Sequence, residues 1–144
     1  MYTQLYEEKE SISDEHNKCV FCGNSNPLSS ALVFRKLYDG SVTAEFQGRS
    51  FMQGYDGVLH GGFVSALLEE AMAHVLFYKK IKGYPVNLDV GYFKTIPFNS
   101  NLTLRAKLVG EGPMIYKLSA DLVFKNEIVA NGRSDFANIN LFNI

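Results

Sequence analysis

The sequence predicts an α+β domain in which one long buried helix is enclosed by a curved antiparallel sheet. Three observations carry that prediction. Residues 61–81 are apolar around most of a helical circumference, the pattern of a buried helix. The segments on either side alternate apolar and polar residues at the strand period. The order is two strands, one helix and four strands, and a single helix apolar nearly all round needs a sheet that curves about it.

Length and charge bound the rest. The 144 residues are 47% hydrophobic, 20% charged and 13% aromatic, enough for one domain with one core. A formal net charge of −1 lacks the basic excess of a nucleic-acid binder. Residues 1–15 hold five acids and one Lys, which leaves a net +3 on residues 16–144. That bias suits a small phosphate-bearing ligand better than a polyanion. No charge-free apolar run reaches the roughly 18 residues of a membrane span. Met1 to Ser13 is polar and acidic, so no signal peptide is expected. Two cysteines make no disulfide framework, and a reduced, cytoplasmic setting is expected.

The elements follow in order. Residues 1–18 are expected to form an acidic arm or short helix, and residues 19–144 the single domain. Cys19 to Pro27 is dense in turn formers. Ala31 to Tyr38 alternates, Asp39-Gly40 supplies the residue types of a type I′ turn, and Val42, Ala44 and Phe46 resume the alternation, which predicts a hairpin. The helix starts at Gly61 and runs to about Ile81, with Lys79, Lys80 and Lys82 in its last turn and Gly83 as its stop. Four strand runs follow: Val86 to Phe93, Leu102 to Val109, Met114 to Phe124, and Glu127 to about Ile139. Gly110 to Pro113 reads as a hairpin turn, without the Lys and helix start of a phosphate loop.

The segment that carries chemistry is Gly54-Tyr55-Asp56-Gly57-Val58-Leu59-His60-Gly61-Gly62, followed by Leu67-Leu68-Glu69-Glu70-Ala71-Met72. Two glycines at a helix start leave free N–H donors open to close approach, and the helix dipole adds to their pull on a developing oxyanion. Two turns later Glu69 stands on a strip with Gly62, Ser65, Ala73 and Leu76. Most of that strip is small, which leaves room for a substrate beside a carboxylate made more basic by burial.

On these residues the chain resembles the hotdog-fold acyl-CoA thioesterases, of the phenylacetic-acid-degradation (PaaI-like) type. The acid nine residues after His60, Cys19-Val20-Phe21-Cys22-Gly23 with Asn26-Pro27 upstream, and the strands from Val86 to Phe136 extend the resemblance over nearly all of residues 19–144. It implies a long antiparallel sheet around a central helix, assembly as dimers or dimers of dimers, and active sites at the dimer interface. It implies that the Gly61 N–H polarises a thioester carbonyl while Glu69 activates water or attacks. His60, Gly62, Gln53, Gly54, Ser65 and Ala73 are the expected substrate-binding positions, and no metal or prosthetic group is expected.

Gly61 and Glu69 are eight residues apart, or about 12 Å along one helix, too far to serve one carbonyl. The two groups are therefore expected from different subunits. Two positions depart from the family pattern. Where relatives carry Asn or Gln fifteen residues before the acid, this chain has Gly54, with Gln53 beside it. Where relatives carry Thr or Ser four residues after the acid, it has Ala73.

Other readings compete. Glu69 could be a structural carboxylate paired across the dimer, and His60 could shape the loop before the helix by bonding to backbone. His74, inside the helix, reads as a packed or interface residue. Ser65 has no base at fixed spacing for a Ser-His-Asp site. His16, Cys19 and Cys22 have zinc-like spacing, but Asp14 or Glu15 would have to complete the ligands, so the expectation is a turn packed on the sheet. At the level of function, a dehydratase or hydratase using His60 and Glu69 is one rival. A non-catalytic acyl-thioester-binding module, favoured by Gly54 and Ala73, is the other. The acyl group is not legible.

Overall fold

A computed structural model describes residues 8–9, in backbone only, and residues 16–142. Among the described residues eight strands form one antiparallel sheet: β1 (Glu8–Lys9), β2 (Arg35–Lys36), β3 (Val42–Gln47), β4 (Gly83–Pro85), β5 (Asp89–Tyr92), β6 (Asn101–Glu111), β7 (Ile115–Phe124) and β8 (Glu127–Asn138). Their spatial order is β1-β2-β3-β6-β7-β8-β4, with β5 also paired to β8. Among the described residues there is one α-helix, α1 (Gly61–Tyr78), between β3 and β4 in the chain. The sheet curls about it as a half-barrel, the hotdog fold.

Period-2 alternation explains how the sheet wraps the helix. Val42, Ala44 and Phe46 on β3, Leu102, Leu104 and Ala106 on β6, and Leu118, Ala120 and Leu122 on β7 are all buried. They meet Val64, Leu67, Leu68, Ala71, Met72, Val75 and Leu76 of α1 in one core. Each buried Leu contributes about 1.5–3 kcal/mol relative to exposure. At Gly132 on β8 an added Cβ would lie 3.4 Å from the Leu68 Cβ, so the missing side chain lets helix and sheet approach closely.

The strand expected from Ala31 to Tyr38 is short, Arg35–Lys36 only, and three further local details differ from what the sequence predicts. First, the 39–40 turn is not type I′: Gly40 has φ +85 but Asp39 is not in the left-handed region. Gly40 N–H donates to Leu37 O, and Ser41 O accepts from Leu37 N–H, a three-residue loop closed by a left-handed glycine. Asp39 Oδ1 accepts from the Ser41 N–H at 2.9 Å, which holds the loop instead. The two-residue turn with both φ positive is Lys125-Asn126, between β7 and β8.

Second, α1 ends at Tyr78 rather than near Ile81. Lys80 takes φ +61, Ile81 N–H reaches back to Leu76 O, and Lys80 N–H reaches Phe77 O. This is a Schellman stop with a lysine where glycine is usual. Gly83 lies outside this stop and packs closely on the helix, where an added Cβ would meet the Leu76 Cδ1 at 2.3 Å and force it to shift.

Third, the strand expected from Val86 to Phe93 is shortened to β5 (Asp89–Tyr92), and a separate short strand, β4 (Gly83–Pro85), precedes it. β4 pairs with Phe136–Asn138 and β5 with Ala130–Arg133 of β8. Between them the Asn87 side chain takes over the pairing, accepting from Asp135 N–H at 3.0 Å. Of the expected acidic arm, residues 1–18, the part before His16 lies outside the described residues apart from the backbone of β1, which pairs with β2.

Candidate active site

The loop before α1 is built to present the helix start. Residues 53–59 fold back on themselves through a bridge between Gln53 and Leu59, and Leu59 N–H is anchored on Ile96 O. Gln53 clamps this loop with both ends of its amide: Nε2 donates to Ser50 O and Oε1 accepts from Gly57 N–H, each at 2.7 Å. The side chain foreseen as a partner for water or substrate is thus engaged by backbone.

His60 is the N-cap of α1, with extended backbone, and its Nδ1 accepts from Gly62 N–H at 2.7 Å. That bond places the neutral ring's proton on Nε2. A Cβ at Gly62 would fall 2.9 Å from Nδ1, and one at Gly54 would fall 3.1 Å from the His60 Cδ2. Gly54 therefore gives room to the capping ring, a local reason for the absence of a polar side chain there.

Gly62 N–H goes to His60 Nδ1, and Phe63 and Val64 N–H go to His60 O. Gly61 N–H has no acceptor among the described residues. Its carbonyl accepts from the Tyr92 hydroxyl at 3.2 Å. Gln53, Gly54, His60 and Gly61 line one open cavity of ≈ 920 Å³ together with Tyr92, Phe93 and Lys94. Lys94 is ion-paired with Glu127.

Glu69, Ser65, Gly62 and Ala73 do not line this cavity. Ser65 Oγ donates to Gly62 O at 2.9 Å, and Ala73 is buried in the core. Glu69 is half-buried two turns along α1 and has no hydrogen-bond partner among the described residues. Burial first, then the charges of Glu70 and Cys19, push its carboxyl up to about 7. A carboxyl in that range can take and return a proton near neutral pH.

The adjacent acid is in a different setting. Glu70 is 4% exposed and its Oε1 lies 3.1 Å from His74 Nε2 and 3.5 Å from Cys19 Sγ. Glu70 completes a cluster with His16, Cys19 and Cys22. The Cys22 thiol beside it holds Cys19 down to about 3, while Cys22 itself is pushed up. The sequence offers Asp14 or Glu15 as the fourth group, and both lie outside the described residues. Glu70 is 51 positions from Cys19, a spacing set only by the fold.

No protein-family model and no curated protein sequence matches the chain. Solved structures do. A thioesterase superfamily protein superposes at a TM-score of 0.75 with 24% identity over 80% of this chain, which spans only 60% of that one. The PaaI protein from the E. coli phenylacetic acid degradation operon gives 0.70 with 15% identity, covering 76% of this chain and 80% of that one. A thioesterase protein from Streptococcus pneumoniae, solved with coenzyme A, gives 0.69 with 19% identity, covering 74% and 86%. At these identities the likeness establishes the hotdog fold of the thioesterase structures.

Proposed function

We propose that this protein hydrolyses an acyl-CoA thioester to a free acid and coenzyme A at a site shared between two subunits. The observation that carries the reading is the unclaimed Gly61 N–H at the positive end of α1, on the wall of the cavity. It would donate to the thioester oxygen as charge develops there, the task of an oxyanion hole. Glu69 would activate water or attack the carbonyl, and the thiolate of coenzyme A would leave.

Gly61 and Glu69 are about 12 Å apart along one helix, so the acid serving one Gly61 would come from a second copy. An exposed apolar edge supports such pairing: Tyr84, Val86, Leu88, Tyr92 and Phe93 are all exposed along β4, β5 and their flanks. The coenzyme A bound by the pneumococcal neighbour supports the substrate class. Nine Lys+Arg against five Asp+Glu in residues 79–144 would suit its phosphates.

Gln53, engaged by backbone at both ends of its amide, keeps a second reading in view: an acyl-thioester-binding module that releases nothing. The test is thiol release from short, medium, long and aryl acyl-CoAs, with wild type and Glu69→Gln side by side. Release that the substitution abolishes supports the hydrolase. Tight binding of the same acyl-CoAs with no release from any of them replaces it with the binding module.

A further inference from the structure

We propose that His16, Cys19, Cys22 and Glu70 bind a zinc ion that fastens the N-terminal segment to the middle of the central helix. The geometry is close to a finished site. One potential ligand atom from each residue lies within 4.8 Å of all the others. His16 Nδ1 is 3.3 Å from Cys22 Sγ, and Cys19 Sγ is 3.5 Å from Glu70 Oε1. With roughly 2.3 Å metal–sulfur and 2.0–2.1 Å metal–nitrogen or –oxygen bonds, tetrahedral ligands stand about 3.3–3.8 Å apart. Two pairs already have that spacing, and the widest must close by only about 1 Å.

The donor set selects the metal class. Two thiolates with one imidazole and one carboxylate suit zinc, a borderline-soft ion without a strong geometric preference, and not the oxygen-seeking calcium or magnesium. The Cys19–Cys22 loop is shaped for it. Gly23 N–H donates to Cys19 O at 2.9 Å, and Phe21 N–H points at the Cys19 sulfur at 3.4 Å. A Cβ on Gly23 would fall 2.4 Å from Asn17 O, so only glycine lets the loop close this tightly.

The outer shell is in place as well. His74, 1% exposed, holds Glu70 from below. Phe34 stacks on the His74 ring at 4.1 Å, and Phe77 meets His16 edge-on at 4.5 Å. Outer partners of this kind orient a ligating carboxylate and tune the ion. With four protein ligands the coordination is closed, so the ion is structural, with no open position for a water. Residues 17–34 contain no strand. Their attachment to α1 beside Glu69 therefore rests on this cluster and on side-chain packing such as Phe21 against Phe63.

The test uses the full chain, with any affinity tag removed and in reducing buffer. Elemental analysis is expected to find about one zinc per chain. A strong chelator should remove it and lower Tm, and zinc should restore Tm. Loading the stripped protein with cobalt(II) should give the intense visible bands of tetrahedral coordination with sulfur–metal charge transfer. Cys19→Ser and Glu70→Gln should each weaken zinc binding at least tenfold. If a variant fails to fold, the chelator and cobalt measurements on wild type decide alone. A folded wild type that takes up no zinc overturns the proposal. So does zinc held as tightly by Cys19→Ser as by wild type, or a Cys19–Cys22 disulfide that persists in reducing buffer.

Discussion

Glu69 and Glu70 are neighbours in sequence, share one helix and differ in almost every physical respect. About 100° of helical rotation separates them. Glu70 is turned under the N-terminal segment, where His74 and Cys19 meet its carboxylate. Glu69 is half-buried and meets no hydrogen-bonding group among the described residues. A buried carboxylate with partners contributes to structure, because removing it leaves those partners unsatisfied. One without partners costs stability where it stands, and that cost is compensated only if the group does something else. The helix start repeats the contrast on backbone: Gly62 N–H is capped by His60, whereas Gly61, which lines the cavity, has an N–H with no acceptor among the described residues.

Substitutions at the two acids separate these roles. Glu69→Gln is expected to lower thiol release by about a hundredfold or more, the scale of a lost general base or nucleophile. Its Tm should be no lower than wild type, because the amide carries no charge to desolvate. A similar loss of Tm and of activity at this position would merge the two acids into one structural pair. Glu70→Gln should do the reverse. Loss of the charged partner of His74 should cost about 1–3 kcal/mol in urea unfolding, with activity per folded protein within a few-fold of wild type.

Smaller effects test the helix ends. His60→Ala removes the cap from Gly62 N–H and should cost about 1 kcal/mol of stability. The residual activity should fall only as far as the displaced helix start demands, and a loss as deep as that of Glu69→Gln would give His60 a direct catalytic part. Lys80→Gly relieves a left-handed lysine and should raise stability by about 0.5 kcal/mol, visible as a small increase in Tm.

The split between what sequence reveals and what it conceals follows the same physics. The start of α1 was legible, because two glycines after His60 and an apolar run leave little choice. Its end was not, since Lys80 adopts φ +61 with nothing in its identity to announce it. The inward faces of β3, β6 and β7 were legible from alternation. The late start of β5, at Asp89 rather than Val86, was hidden, because it depends on Asn87 meeting Asp135 across the sheet. Of the proposed site residues, His60, Gly61 and Glu69 stand out by local spacing. The partners of Glu70 do not, because His16, Cys19 and Cys22 reach it only through the fold.

The central claim is that Gly61 of one subunit works with Glu69 of another, and complementation tests it most directly. Gly61→Pro deletes the N–H at the first helical position, where proline is well tolerated, and His60 already has the extended ψ of 134 that a following proline requires. Alone it should lower thiol release by about 10²–10³-fold. Co-expressed in equal amounts with Glu69→Gln, half of the dimers would be mixed, each with one intact site. Activity should then return to about a quarter of wild type. Mixed dimers as inactive as either parent would place both groups in one chain and contradict the account.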